Sequence, residues 1–207
     1  MICTLCGSVL INKKDEYYYD CGSCRAIVKD DQYYLAADEE RAEYETHNND
    51  INDVRYQNFT MPITNYVLEE FLPAHKGLDF GSGTGPVISS MLKKKGYDIV
   101  QYDPFFAPDQ SVLNHRYDYI VSCEVFEHFY NPQMEIDRLT SLLNRNGGLL
   151  IMTLLYHDRI DFSRWNYRND DTHVFIYRKE TIEYIANEKK LGIDVLTDRF
   201  IALRKAG

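Results

Sequence analysis

The sequence of 207 residues contains no apolar run that approaches the ~20 residues needed to span a bilayer. Its first residues, Met1-Ile2-Cys3, lack a basic stretch followed by an apolar one, so we expect a cytoplasmic protein with no membrane partner. Basic residues are scarce, with 23 Lys and Arg against 32 Asp and Glu and a formal net charge of −9. Because affinity for phosphate comes mostly from Lys and Arg, nucleic-acid binding is not favoured, although a local basic groove stays open.

A dinucleotide fingerprint is also missing from the glycine-rich segment 78–85, which reads Leu-Asp-Phe-Gly-Ser-Gly-Thr-Gly. Binding of a dinucleotide requires the pattern G-x-G-x-x-G, and here Pro86 occupies the position of the third glycine. Asp79 would repel a pyrophosphate, whereas a cofactor with an ammonium group and a cationic sulfur would tolerate it. The next predicted strand ends at Asp103, an acid placed to hold both hydroxyls of a ribose. The segment predicts a nucleoside-containing cofactor, with a purely structural glycine turn as the alternative.

Segment 78–85 resembles the first motif of the class I S-adenosylmethionine-dependent methyltransferases. Residues 117–128, Tyr-Asp-Tyr-Ile-Val-Ser-Cys-Glu-Val-Phe-Glu-His, are similar to the fourth strand of that family with its acidic E-x-x-E-H end, and residues 147–153 are similar to its fifth strand. The resemblance covers residues 60–207 and implies S-adenosylmethionine as the cofactor. It places the glycines around the methionine part, Asp103 on the ribose and Phe105 on the adenine. The cofactor-binding residues that it implies are Asp79, Gly81, Ser82, Gly83, Thr84, Gly85, Asp103, Pro104, Phe105, Cys123 and Glu124.

Segments with strand character alternate with helical ones from Asn58 onward, which indicates a mostly parallel sheet covered on both faces. Together with the resemblance, this predicts an α/β fold: a Rossmann-like, mostly parallel sheet of seven strands with an antiparallel last strand. We assign that methyltransferase-like domain to residues 58–207. In such sheets ligands bind beyond the carboxyl ends of the strands.

Four of the five cysteines lie near the start of the chain, as Cys3-x2-Cys6 and Cys21-x2-Cys24. Two such pairs predict a four-cysteine zinc site, and we assign residues 1–31 to a small zinc ribbon in which the metal is structural, because no ligand position is left open. Disulfides are the alternative, disfavoured without a secretion signal. The ribbon has three candidate roles: covering the substrate pocket, mediating dimerisation or gripping a macromolecule.

Residues 32–57 form an acidic linker in which, over residues 38–53, seven carboxylates stand against Arg41 alone. A charged stretch of this kind is commonly a solvated helix, here followed by the polar loop Asn48-Asn49-Asp50. The alternative is a lid over the cofactor, with Tyr44 and His47 facing inward.

A sharper hypothesis concerns Glu124, Glu127 and His128, together with His173 further along the chain. Two carboxylates and two imidazoles could bind Mg²⁺ or Mn²⁺, which would lower the pKa of a substrate hydroxyl and hold it beside the methyl group. The pattern resembles small-RNA 3′-end 2′-O-methyltransferases, which use two Glu and two His around a metal, and ubiquinone-pathway O-methyltransferases. In the competing hypothesis Glu127 caps a loop and His128, or else His173, is the general base. The catalytic candidates are therefore His128, Glu127 and His173.

These observations predict an S-adenosylmethionine-dependent methyltransferase that acts on an oxygen of a small molecule. The alternatives are a metal-assisted RNA 2′-O-methyltransferase or a protein methyltransferase, either of which would use the ribbon for docking, and a binding module with a vestigial cofactor site. The aromatic segment 158–172 is either a substrate-specificity segment or a packed insertion, and Arg164 and Arg168 in it hint at an anionic substrate.

Overall fold

The computed structural model describes residues 1–46 and 49–207. Its strands, in chain order, are β1 (Asn12–Lys13), β2 (Tyr18–Asp20), β3 (Ile27–Lys29), β4 (Lys76–Phe80), β5 (Asp98–Tyr102), β6 (Tyr117–Cys123), β7 (Leu143–Met152), β8 (Phe175–Ile176), β9 (Leu191–Leu196) and β10 (Phe200–Lys205). Its α-helices are α1 (Ala37–Thr46), α2 (Val54–Glu70), α3 (Val87–Lys94), α4 (Pro132–Leu142) and α5 (Lys179–Lys189). None of these helices is long and apolar enough to cross a bilayer.

The larger sheet has the strand order β5-β4-β6-β7-β10-β9. Strands β5, β4, β6 and β7 run parallel, and β10 is antiparallel to both β7 and β9. The predicted Rossmann-like architecture with an antiparallel last strand is confirmed. The alternation of helices and strands leads to this architecture because a connection between two parallel strands must cross a face of the sheet, usually as a helix.

The predicted number of seven strands is wrong for the described part of the chain, where this sheet has six. The missing strand would have to come from residues 103–116, between β5 and β6. A connection between two parallel strands takes a dozen or more residues, and the residues of an added strand come on top of that. This short segment holds instead an isolated bridge between Asp103 and Ala107 and a 3₁₀ turn over Gln110–Asn114, so β5 remains the edge of the sheet.

The smaller sheet is antiparallel, with the order β1-β2-β3-β8. Its first three strands come from the cysteine-containing residues 1–31, and its fourth comes from the segment that follows β7 in the chain. Ile27 and Val28 pair with Ile176 and Phe175, so the two parts of the chain share one sheet.

Two apolar cores cover the faces of the larger sheet. One contains α2 and α3 residues such as Val67 and Leu92, packed against Tyr119 and Val121 of β6. On the opposite face Ile120 packs with α4, α5 and the buried cysteines of residues 1–31. Successive side chains of β6 thus point to opposite faces of the sheet and are buried on both, as in a central strand. The cysteine segment therefore contributes to the same core as α4 and α5.

Candidate active site

The glycine loop turns sharply where β4 ends. Gly81 and Gly83 have φ of +78° and +61°, a conformation that residues with a Cβ seldom adopt. The amides of Gly81 and Ser82 both donate to the Tyr102 carbonyl at the end of β5, at 2.8 and 3.2 Å. The loop is thereby fixed between the carboxyl ends of β4 and β5.

Asp103 is a buried carboxylate that organises the loop and its surroundings. One carboxylate oxygen accepts the Gly83 amide at 2.9 Å, and the other accepts the amides of Phe105 and Phe106, both at 2.9 Å. Asp103 also lines the cavity described below. It is therefore rigidly held while it presents negative charge at the position predicted for ribose recognition.

Asp79 lies beneath the loop rather than among the described residues that line the cavity. Its Oδ2 accepts a hydrogen bond from the Ser89 hydroxyl of α3 at 2.7 Å. Burial raises the pKa of the Asp79 carboxyl to about 6. This geometry ties β4 to the first turns of α3.

A cavity of about 910 Å³ opens at the carboxyl ends of the parallel strands. It extends from the glycine loop to the end of β6 and the segment that follows β7, so it is large enough to hold a cofactor and an acceptor together. The predicted site residues that line it are Gly81, Ser82, Gly83, Thr84, Asp103, Pro104, Phe105, Cys123, Glu124, Glu127, His128 and His173. Gly85, like Asp79, is not among the described lining residues.

Glu127, His128 and His173 come together in this cavity. They offer ligand atoms that all lie within 4.8 Å of one another, and the two imidazole rings are 4.8 Å apart, edge to face. His128 Nδ1 bonds to the Thr172 carbonyl at 3.1 Å, and His173 Nδ1 bonds to the Tyr167 carbonyl at 2.6 Å. Because a carbonyl can only accept, each Nδ1 carries a proton and donates it to that carbonyl.

Glu127 is fully buried. Its Oε2 accepts from the Thr153 hydroxyl at 2.8 Å, and Thr153 in turn contacts the Tyr167 hydroxyl at 2.8 Å. Its Oε1 has no hydrogen-bond partner among residues 1–46 and 49–207. A buried oxygen of this kind costs free energy unless a ligand, an ion or water satisfies it.

Glu124 is not brought into that cluster. It has the unusual φ of +51°, and its Oε1 accepts from Arg199 Nη1 at 2.9 Å. Burial, reinforced by the nearby Glu127, raises the pKa of Glu124 to about 8 despite the opposing effect of Arg199. Of the four residues predicted to hold a divalent ion, the structure therefore assembles three.

The acidic linker covers part of the cavity. Glu40 and Tyr44 of α1 line it, and the Tyr44 hydroxyl donates to Glu40 Oε1 at 2.7 Å. Burial raises the pKa of Glu40, and the Tyr44 ring lies edge to face with His128 at 5.3 Å. His47, predicted to face inward with Tyr44, lies outside the described residues. Glu40 was not predicted as a site residue, although its spacing of four from Tyr44 places both residues on one face of a helix.

The four cysteines of residues 1–31 also come together. Cys3 and Cys24 have their sulfurs 3.6 Å apart, Cys6 and Cys21 have theirs 3.4 Å apart, and all four lie within 4.8 Å of one another. A tetrahedral zinc ion with Zn–S bonds of about 2.3 Å requires sulfurs about 3.8 Å apart. The set is closed and accommodates such an ion, with no position open for a substrate.

The two arginines that hinted at an anionic substrate point elsewhere. The Arg168 guanidinium binds the Asp15 carboxylate at 2.6 and 2.8 Å, and Arg164 is exposed beside Asp161. Neither is among the described residues that line the cavity. The aromatic segment that carries them is divided, because Phe162 and Trp165 pack against Tyr156 while Tyr167 lines the cavity.

Comparison with known proteins gives one family and many structural neighbours. Residues 44–196 match the family described as a methyltransferase domain. No curated protein sequence matches the chain significantly.

The solved structures with similar folds include three with TM-scores above 0.5. The first is 1,6-didemethyltoxoflavin-N1-methyltransferase from Burkholderia thailandensis with bound 1,6-didemethyltoxoflavin and S-adenosylhomocysteine (TM-score 0.59, 11% identity, covering 93% of this chain and 100% of that chain). The second is human N-acetylserotonin methyltransferase in complex with SAM (TM-score 0.57, 16% identity, covering 84% of this chain and 61% of that chain). The third is magnesium protoporphyrin IX methyltransferase from Synechocystis PCC 6803 with bound SAH (TM-score 0.55, 13% identity, covering 85% of this chain and 97% of that chain). The chain spans less than two thirds of the human enzyme and 54% of a similar carbon methyltransferase, CurJ.

Proposed function

The chain belongs to the methyltransferase domain family, and from that premise we propose that it is an S-adenosylmethionine-dependent methyltransferase that methylates a hydroxyl group of a small acceptor molecule. One observation carries the proposal. A single cavity joins the glycine loop to two imidazoles and a buried carboxylate, so a methyl donor at one end would face an acceptor held at the other.

The donor end of the cavity fits S-adenosylmethionine. Gly81 and Gly83 line the part of the cavity that would take the methionine part, and Asp103 offers a fixed carboxylate for the ribose hydroxyls. Phe105, which lines the same wall, would contact the adenine, and Cys123 would border the methyl group. Bound there, the cofactor supplies an already activated methyl group, which leaves the protein chiefly the task of aligning donor and acceptor.

The acceptor end contains groups that can take a proton from a hydroxyl. Both His128 and His173 have Nδ1 bonded to a carbonyl, so in the neutral form of each imidazole Nε2 is the nitrogen that can take up a proton. Burial lowers the pKa of His173, which favours the neutral imidazole, the form that can accept a proton. We propose His128 as the first general base and His173 as the second.

The same three residues are a candidate site for Mn²⁺ or Mg²⁺. Two features support the fit: the unpartnered Oε1 of Glu127, and the bonds from each Nδ1 to a carbonyl, which commonly orient imidazoles that bind metals. Two nitrogens and one oxygen suit manganese better than magnesium, which prefers oxygen alone. Glu127, His128 and His173 would hold the ion, and the ion would lower the pKa of an acceptor hydroxyl.

The charge of the cavity favours a small acceptor over RNA. Among the described lining residues, Arg138 is the one arginine or lysine, and it is already paired with Glu135 at 2.8 Å. Six carboxyl groups line the same cavity. Burial raises the pKa of Glu124 to about 8, so that carboxyl is mostly neutral near pH 7, but the others would still repel an anionic group unless a cation accompanied it. The lining carboxylates are Glu40, Asp103, Glu124, Glu127, Glu135 and Asp170.

We also propose the division of the chain into a structural zinc ribbon (1–31), a lid (32–57) and a methyltransferase domain (58–207). The ribbon is supported by the closed four-sulfur geometry, and the lid by Glu40, Tyr44 and Asn49 on the cavity wall. Helix α2 continues through the boundary at residue 58, so residues 54–57 belong to the same helix as the first residues of the methyltransferase domain.

Isothermal titration with S-adenosylhomocysteine tests the cofactor assignment. The wild type should bind it, Asp103→Asn should bind at least tenfold more weakly through loss of one charged hydrogen bond, and the exposed Asp109→Asn should match the wild type. A tritium assay with S-adenosylmethionine would then compare catechol and simple phenols with total RNA and with denatured protein. Incorporation into RNA or protein alone would overturn the small-acceptor proposal, and failure of the wild type to bind S-adenosylhomocysteine would overturn the cofactor assignment.

A further inference from the structure

Residues 167–174, here called the acceptor segment, form one wall of the cavity through Tyr167, Asp170 and His173. The segment follows an exposed stretch and has no regular secondary structure over most of its length. Its position must therefore be fixed by its neighbours, and those neighbours include residues 1–31.

Tyr18 of β2 binds the acceptor segment directly. Its hydroxyl donates to the His173 carbonyl at 2.8 Å and lies 3.3 Å from the Arg168 carbonyl. The Tyr18 side chain is fully buried, so water does not compete for these contacts. The hydroxyl thus fixes the backbone of the residue whose imidazole faces the cavity.

Two further contacts come from the same small sheet. The backbone amide of Lys29 donates to the Val174 carbonyl at 2.9 Å, and its buried ammonium donates to the Asp171 carbonyl at 2.8 Å. Asp15 binds the Arg168 guanidinium while it also accepts the amide of Tyr18 at 2.9 Å. Residues 1–31 therefore hold the acceptor segment at both of its ends.

The acceptor segment in turn orients both imidazoles of the candidate site. His173 bonds to the Tyr167 carbonyl within the segment, and His128 bonds to its Thr172 carbonyl. The Val174 amide donates to the Glu127 carbonyl at 2.9 Å. A displacement of the segment would thus move all three groups that we propose to act on the acceptor.

We propose that residues 1–31 are a positioning element of the acceptor site, and that Tyr18 is the positioning residue that fixes His173 and, through Thr172, His128. The proposal rests on the proposed function and assigns the role that the sequence analysis left open. The cysteine cluster holds the small sheet together, and the small sheet holds the wall of the acceptor cavity. Docking to a macromolecule is not needed to explain the presence of the ribbon.

Tyr18→Phe tests this assignment, with Tyr19→Phe as the matched control. Tyr19 is the next residue of β2, it is half-buried, and its hydroxyl has no hydrogen bond within the described residues. Hydrogen–deuterium exchange should be roughly five- to tenfold faster for amides 167–174 in Tyr18→Phe, the effect of one lost hydrogen bond, and unchanged in Tyr19→Phe. Long-range ¹H–¹⁵N NMR should show a loss of the Nδ1–H tautomer of His173 in Tyr18→Phe alone.

Binding of S-adenosylhomocysteine provides the separating measurement. Its affinity should stay within twofold in both variants, because the donor end of the cavity does not contact Tyr18. If Tyr18→Phe does not fold, Asp15→Asn removes the ion pair to Arg168 while keeping the hydroxyl, and it should loosen the same amides. Exchange and tautomer signals identical to those of Tyr19→Phe would overturn the positioning role, whereas absent binding in the wild type would overturn the methyltransferase function instead.

Discussion

The backbone of Asn49 crosses Gly85 so closely that a Cβ on that glycine would come within 1.6 Å of the Asn49 carbonyl oxygen. The Asn49 side chain also approaches the Thr84 hydroxyl, at 3.4 Å. The end of the acidic linker is therefore packed directly on the glycine loop. This contact explains the third glycine of the motif, which does not line the cavity itself.

Gly85→Ala should displace the linker from the glycine loop. No side chain can yield here, because the group in the way is backbone, so we expect a loss of about 1–3 kcal/mol in the free energy of unfolding. Affinity for S-adenosylhomocysteine should fall at least tenfold, because the lid and loop would no longer fit together. Urea unfolding and calorimetry measure the two effects. Gly192→Ala, where a Cβ would meet only ordinary contacts at 3.8 Å, should leave both unchanged, and equal behaviour of the two variants would contradict the packing argument.

The parallel core of the fold could be predicted from the sequence because each of its elements carries a local signal. The glycines at 81 and 83 require positive φ, and the apolar runs of β4, β6 and β7 are those of strands buried on both faces. The alternation of helix and strand then determines the direction of the strands. The strand count failed because it was taken from a resemblance, whereas the length of residues 103–116 does not allow a further crossover.

The remaining features depend on contacts between distant parts of the chain. Strand β8 is two residues long, and all four parallel strands of the larger sheet lie between it and its partner β3 in the sequence. Glu124 lies apart from the cluster and is paired instead with Arg199, which lies in the turn between β9 and β10. The spacing of residues along the sequence contains neither fact, so it could not show that Glu124 lies apart from Glu127, His128 and His173.

The pH dependence of stability should reveal the buried carboxyl of Asp79. Burial raises its pKa from 3.8 to about 6, so the folded state retains a proton that the unfolded chain releases between these values. The associated stability is complete below pH 3.8 and is lost as the pH rises through about 6. A shift of this size corresponds to about 3 kcal/mol.

Asp79→Asn should remove this loss while keeping the bond from the Ser89 hydroxyl. Relative to the wild type, the variant should be equally stable at pH 4 and more stable by up to about 3 kcal/mol at pH 7, as measured by urea unfolding without ligand. The exposed Asp98→Asn, at the start of the neighbouring strand, should follow the wild type at every pH. A constant difference between Asp79→Asn and wild type from pH 4 to pH 7 would show that Asp79 is already ionised at the lower value.

Metal content tests the four-cysteine cluster. Purified protein should contain one zinc per chain by elemental analysis, and Cys24→Ser should contain none, because a three-sulfur set with one weak oxygen no longer closes the tetrahedron. We expect the variant to lose several kcal/mol of stability, since zinc binding contributes on the order of 10 kcal/mol in isolated finger peptides. Cys123→Ser, whose thiol lies in the cavity, should keep its zinc. Titration of denatured protein with Ellman's reagent should find all five thiols free, and a count of one would favour the disulfide alternative.

Binding of Mn²⁺ distinguishes the two roles open to the cluster of Glu127, His128 and His173. Electron paramagnetic resonance should detect one bound Mn²⁺ per chain, and Glu127→Gln should weaken that binding at least tenfold, because an amide offers the ion no negative charge while Thr153 can still donate to its oxygen. Glu135→Gln is the matched control, because Glu135 lines the same cavity but is paired with Arg138. If the wild type binds no Mn²⁺, the unpartnered oxygen of Glu127 must meet the acceptor or water directly, and His128 would act as a base without a metal.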